Sequence, residues 1–211
     1  MANTLVIDTA TAACSIALIA DRMVVEARHE VVGRGHAERL LPMIAALPDG
    51  GRADRVLVDC GPGSFTGVRV GLAAALALGI GWDVPVAGYS STAAVAVAAF
   101  AANPGVEALA VVLEGGHGEV FMQPFTASPF AASAELASLT PERAMAAIGA
   151  LPIVGGGLRW LPEVPPERRL GEALPRAADA ILLPPALTDL PPRPLYGRAP
   201  DAKPMAGYRP A

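Results

Sequence analysis

The residues able to do chemistry gather at a few junctions, and the densest is Gly61-Pro62-Gly63-Ser64-Phe65-Thr66-Gly67-Val68-Arg69-Val70-Gly71. An apolar run, Arg55 to Cys60, reads as a short strand entering this block, and Thr66 to Gly81 has the length and alanine content of a helix leaving it. Gly61-Pro62-Gly63 signals a turn between them. Ser64 and Thr66 suit the start of the helix, where free backbone N–H groups attract anions. The block lacks the Lys followed by Ser or Thr that a phosphate-cradling P-loop requires, so a ligand-free strand-to-helix turn stands beside the anion reading. Ser64 is not flanked by the Gly-x-Ser-x-Gly of a nucleophile elbow, which weakens a protease or esterase reading.

Other candidates are sparser. Asp8 ends the first apolar strand at Asp8-Thr9-Ala10-Thr11. Its carboxylate can orient a metal-bound phosphate or close an Asx turn. The turn is favoured, because alanines replace the glycines that would let a phosphate approach the backbone. The three histidines, His29, His36 and His117, show no i, i+4 pair for a helical metal site. His36 is expected to be a polar residue opening a helix. Glu114 and Glu119 flank a glycine-rich turn, where solvated turn charges are the commoner outcome than an acid/base pair. Cys14 and Cys60 lie in apolar runs without framework spacing and are expected to be buried free thiols in a reducing compartment.

Around these groups the pattern predicts strands at Thr4–Asp8, Cys14–Ala20 and Met23–Val31, then an amphipathic helix over His36–Leu47. Arg55–Cys60, the Thr66 helix, Val84–Gly88 and the alanine-rich Ser91–Ala102 continue as strand, helix, strand, helix. This order implies a mixed sheet with helices packed on it. After Asn103-Pro104-Gly105, Glu107–Leu113 and Glu119–Phe125 suggest a second strand pair around Gly115 to Gly118, so the organisation reads as a pseudo-repeat. Pro141 suits the first position of a helix over Glu142–Leu151, and Ile153-Val154 leads into three glycines. The proline-dense stretch from Pro184 onward is expected to loop over the surface. Two units follow: 1–103, carrying the first sheet, and 104–211, smaller and ending in the proline-rich tail.

The chain has 211 residues, 53% of them hydrophobic and 17% charged, enough for a sizeable core. A net charge of −4 argues against a broad basic footprint for nucleic acid. The apolar run Val70–Ile80 is shorter than the ~20 residues of a membrane span, and no signal-peptide pattern opens the chain, so a soluble cytoplasmic protein is expected.

The GPGSFTGVR block, Ile7-Asp8-Thr9-Ala10-Thr11, Cys14 to Leu18 and Gly118-Glu119-Val120-Phe121 together resemble the TsaB family, subunits of the bacterial complex that installs threonylcarbamoyladenosine beside the tRNA anticodon. The resemblance is dense over residues 4–125. It implies an actin-like (ASKHA, ribonuclease H-like) two-lobed α/β fold with mixed sheets flanked by helices. It also implies a non-catalytic scaffold and activator that pairs with the metal-bearing TsaD paralogue and, through it, with a TsaE-type ATPase. ATP and the metal would then sit on partner subunits and tRNA would be contacted mainly through the partner, with a homodimer as a further state of the isolated chain. Gly67, Gly71, Ala74, Ala75 and Leu78 form a nearly smooth stripe on the Thr66 helix that, with Val70, is expected to meet a partner, while Val68, Leu72, Leu76 and Ile80 are expected to pack on the chain's own sheet. Beside the stripe, His36, Arg39, Leu40 and Met43 of the preceding helix complete the expected partner surface. Asp8, Thr9 and Thr11 are the nucleotide-related positions if the chain is instead a small-molecule kinase. A peptidase and a homodimeric binding module stand beside the kinase as rival readings. The tail's Pro194-Leu195-Tyr196-Gly197-Arg198 keeps a Pro-x-Tyr-x-Arg outline of the family, whereas Ala199-Pro200 and Glu114-Gly115 depart from it.

Overall fold

The computed structural model describes residues 3–197; Arg198, Ala199 and Pro200 of the tail pattern lie outside the described residues. Alternation along the first strands sets the layers. In β1 (Asn3–Asp8), Leu5 and Ile7 point to one face of a sheet and Val6 to the other, and β4 (Arg55–Asp59) repeats this with Val56 and Val58 against Leu57. All of these are buried, so both faces of the sheet are covered. β2 (Ala13–Ala20) and β3 (Met23–Val31) add antiparallel strands, and β5 (Val86–Tyr89) runs parallel to β4, giving the order β3-β2-β1-β4-β5.

On the Leu5/Ile7 face lie α1 (His36–Ala45) and α2 (Phe65–Trp82). On the Val6/Leu57 face lies α3 (Ser91–Ala102), whose alanines pack at the same time against a second sheet. That sheet contains β6 (Ala108–Glu114), β7 (Val120–Ala127), β8 (Phe130–Ala132), β9 (Ala137–Leu139), β10 (Ile153–Val154) and β11 (Arg169–Gly171). Its order is β11-β10-β6-β7-β8, with β9 also on β7, and α4 (Pro141–Ile148) covers its far face. An apolar helix shared by two sheets explains why α3 reads as hydrophobic all round. The stretch beyond residue 176 returns to the first sheet. Ala177 N donates to Ser15 Oγ at 3.0 Å, Leu190 and Gly88 exchange backbone bonds, and Leu195 N donates to Cys60 O at 2.8 Å.

Val68 and Leu72 of α2 pack inward as expected, but the small-residue stripe packs inward too. Gly67 and Gly71 are buried against the chain's own first sheet: a Cβ on Gly71 would stand 2.5 Å from Thr9 Oγ1 and 3.5 Å from Val58, and one on Gly67 would fall on the Thr9 carbonyl. Ala75 and Gly79 continue that row, and Val70, Ala74 and Leu78 are half-buried beside it. The glycines do admit a backbone at close range, but it is the turn after β1. Leu76 and Ile80, expected to face inward, are 42% and 84% exposed, and Phe65 is 69% exposed. Leu40 and Met43 likewise belong to the core under α1, while Arg39 is exposed and paired with Glu30. With 18 residues and a mean hydropathy of 1.5, α2 has the length and composition of a membrane span, longer than the Val70–Ile80 run suggests. Its glycine row seated on β1 and β4 makes it a layer of this fold.

Candidate functional site

β1 and β4 are parallel neighbours, so their C-terminal ends bring Asp8 and Asp59 side by side, where open α/β sheets usually receive ligands. Both carboxyls are fully enclosed, at 0% and 1% exposure. Asp8 Oδ1 accepts from Ala10 N at 3.2 Å, closing the Asx turn, and Oδ2 accepts from the Tyr89 hydroxyl at 3.2 Å. Asp59 accepts from Gly61 N at 2.7 Å and takes both reaches of the Ser91 hydroxyl, at 2.8 and 2.6 Å. The two carboxyls also hydrogen-bond to each other. Two buried carboxylates cannot both stay ionised in contact, so the pair holds a proton. Burial, then the charge of Asp59, pushes Asp8 well above the usual carboxylate range. Burial raises Asp59 too, to about 6, against the bonds from Asp8, Ser91 and Gly61. The pair therefore shares one proton, held between the two carboxyls.

The glycine block closes over this pair. Ser64 N donates to Ala10 O at 2.6 Å, and a side chain on Gly63 would overlap that same carbonyl. Ser64 Oγ caps α2 by accepting from Gly67 N at 3.2 Å, Thr9 Oγ1 donates to Gly67 O at 2.7 Å, and Thr11 Oγ1 accepts from Ala13 N at 3.4 Å. The Ala10, Ser64 and Gly67 amides and the Thr9 and Ser64 side chains are thus spent inside the turn, and the Asp8 carboxyl has no open space before it. A metal-bound nucleotide phosphate does not fit at Asp8. His36 is buried at the start of α1 with Nε2 2.9 Å from Thr11 O, a structural tie between α1 and the same turn. Glu114 pairs with Arg159 and Glu119 accepts from Ser138 Oγ at 2.6 Å, so these carboxylates are engaged separately. Cys14 and Cys60 are free, buried thiols, each raised to about 11, chiefly by burial. Among the described residues no cluster of three or more His, Cys, Asp or Glu could hold a metal ion.

Asp59, Tyr89 and Ser91 went unmarked in the sequence. The available signal was an aspartate closing a run otherwise fit for a doubly covered strand, since a charge there must find a partner.

Comparison with known proteins fits this architecture. The family model described as "TsaD: tRNA N6-adenosine threonylcarbamoyltransferase" matches residues 27–128. An uncharacterized protein of Mycobacterium tuberculosis is 35% identical over 98% of this chain and 96% of its own length. The Escherichia coli tRNA threonylcarbamoyladenosine biosynthesis protein TsaB is 38% identical over 56% of this chain and 52% of that protein. Among solved structures, YeaZ from Pseudomonas aeruginosa is 29% identical with a TM-score of 0.71, covering 86% of this chain and 90% of that one. The chain belongs to the TsaB/YeaZ family. Its two mixed sheets around α3 are the actin-like fold that this kinship implies. In this TsaB/YeaZ-type chain the GPGSFTGVR block serves as a lock: it seals Asp8 and Asp59 and fixes the start of α2. On the outer surface the same block shows an exposed Phe65, with the Arg69 guanidinium 3.3 Å from its ring centroid and donating to the Tyr196 hydroxyl at 2.9 Å. Phe65, Arg69, Ala73, Leu76 and Ile80 recur at helical spacing along that outward face.

Proposed function

We propose that this chain is the scaffold and activator subunit in threonylcarbamoyladenosine synthesis on tRNA, pairing with a TsaD-type paralogue and bringing no catalytic metal of its own. The observation that carries the reading is the outward face of α2. An apolar helix that spends its glycine row on its own sheet still presents Leu76 and Ile80 to solvent, as α1 presents Leu41, which is 54% exposed. Burying such side chains contributes about 1.5–3 kcal/mol each, so a second pair of helices has reason to cover them. The partner surface moves accordingly from the glycine stripe to the Phe65–Ile80 row. ATP, the catalytic metal and most of the tRNA contact are assigned to partner subunits, with a TsaE-type ATPase joining through the paralogue. Kinship with proteins named for tRNA threonylcarbamoyladenosine biosynthesis supports this assignment.

The test mixes the purified chain with its TsaD-type paralogue and measures mass in solution. The native chain is expected to form a stable heteromer, and Leu76→Glu with Ile80→Glu is expected to weaken pairing by about 100-fold or more with the melting temperature unchanged. Undiminished pairing by the double variant would remove α2 from the interface. Pairing of the chain only with itself would favour the homodimeric module.

A further inference from the structure

Where β3, the C-terminal half of α3 and the 170–179 segment meet, the lobes leave a cleft of about 490 Å³ that the scaffold role does not use. Its floor is aliphatic, with Val95 and Ala99 of α3 and Val154 and Leu170 of the second sheet. Its polar lining carries both signs: His29 and Arg176, together with Glu172 and Asp179. His29 Nδ1 is, among the described residues, the one buried side-chain nitrogen or oxygen without a hydrogen-bond partner. Such an orphan is destabilising unless something fills the place opposite it. The Arg176 guanidinium makes no hydrogen bond or ion pair among the described residues, and its charge reaches both His29 and Asp179.

We propose that this cleft binds a small aliphatic zwitterion of the free amino-acid class, its carboxylate on Arg176 and His29, its ammonium on Glu172 and Asp179, and its side chain on the aliphatic floor. The chemistry of the lining selects this class. A nucleotide or other polyanion would meet two carboxylates with one arginine to balance it, a lone cation would meet Arg176, and a wholly apolar guest would leave the His29 nitrogen unpaired. The volume falls within the range of small-molecule pockets. Burial, with Arg176 second, holds the His29 imidazole below its ordinary value, so it is neutral at pH 7. A bound carboxylate favours the imidazolium, so binding takes up a proton and tightens as pH falls toward the imidazole range, while Arg176 stays charged. Glu172 and Asp179 are the acids facing the same space; burial raises Asp179 and Arg176 opposes that rise.

The experiment is calorimetry on the full chain with L-leucine, 4-methylpentanoate, which lacks the ammonium, and isopentylamine, which lacks the carboxylate. L-Leucine is expected to saturate below about 10 mM, each analogue to bind at least about tenfold more weakly, and Arg176→Gln to weaken leucine by at least about tenfold at an unchanged melting temperature. Titration in two buffers of different ionisation enthalpy is expected to show proton uptake that His29→Phe abolishes. The proposal is overturned if leucine fails to saturate, the cleft then holding water only, if the three probes bind alike, or if Arg176→Gln leaves leucine affinity intact.

Discussion

At its N-terminal end α3 meets two aspartates in a fully enclosed knot, whereas at its C-terminal end it borders an open cleft whose histidine has a nitrogen to spare. The first turn is tied to both sheets, by Ser91 to Asp59 of β4 and by Thr92 Oγ1 to Gln123 of β7 at 2.6 Å. Every polar group there is bonded internally, at the position where related α/β architectures receive their ligands. The opposite end carries fewer bonds and more exposed charge. Strong hydrogen bonding thus marks where this chain has committed its side chains to holding its shape, and incomplete bonding marks where a guest can still be recognised.

The sharpest way to break the comparison is Gly71→Arg. Even the first carbon of the new side chain would crowd Thr9 Oγ1, so the variant is expected to lose the cooperative melt altogether, read by circular dichroism and soluble yield. A folded Gly71→Arg chain would return the glycine stripe to the surface. Asp59→Ala leaves Gly61 N and the Ser91 hydroxyl without their acceptor and is expected to cost about 2–4 kcal/mol in a denaturant titration at pH 5. A loss under about 0.5 kcal/mol would show that the knot is not closed.

A smaller effect, and one with a sign, comes from the shared proton. Asp8 and Asp59 bind protons more tightly folded than unfolded, so their contribution to stability is complete below the ordinary value of 3.8 and is lost as pH rises through the raised folded values, about 6 for Asp59. Asp8→Asn keeps a donor toward Asp59 and removes the titration. It is expected to match the native melt near pH 4 and exceed it by about 2 kcal/mol at pH 8. Parallel pH profiles for the two proteins would contradict a shared proton. Least of all should change with Arg176→Gln, which at the open end is expected to shift stability by no more than about 0.5 kcal/mol.

The elements were legible wherever period and punctuation agreed. Ser91–Ala102 is helical over the range its composition predicts, β1 to β3 follow their alternation, and Ser64 caps α2 as its type and place suggest. What the sequence hid was orientation. The row Gly67, Gly71, Ala75 and the row Leu76, Ile80 lie on one uniformly apolar helix, and hydrophobicity cannot rank two apolar faces; the close approach of the Thr9 turn decides it. The knot was hidden for a related reason. Asp8 and Asp59 are 51 residues apart in the chain, and only the parallel pairing of β1 with β4 makes them neighbours.

The return of the chain to its first sheet bears on how the protein is made. Gly88 on β5 finds its backbone partner only in Leu190, and the Cys60 carbonyl finds its donor only in Leu195. During synthesis the edge of β5 therefore stays uncovered until residue 190 has left the ribosome. A nascent or truncated product ending near residue 103 would expose that edge together with the alanine face of α3, surfaces suited to pairing with other chains. Residues 177–195 act as the stitch that closes the first sheet, so a stop codon before residue 177 would be felt at Ser15, Cys60 and Gly88.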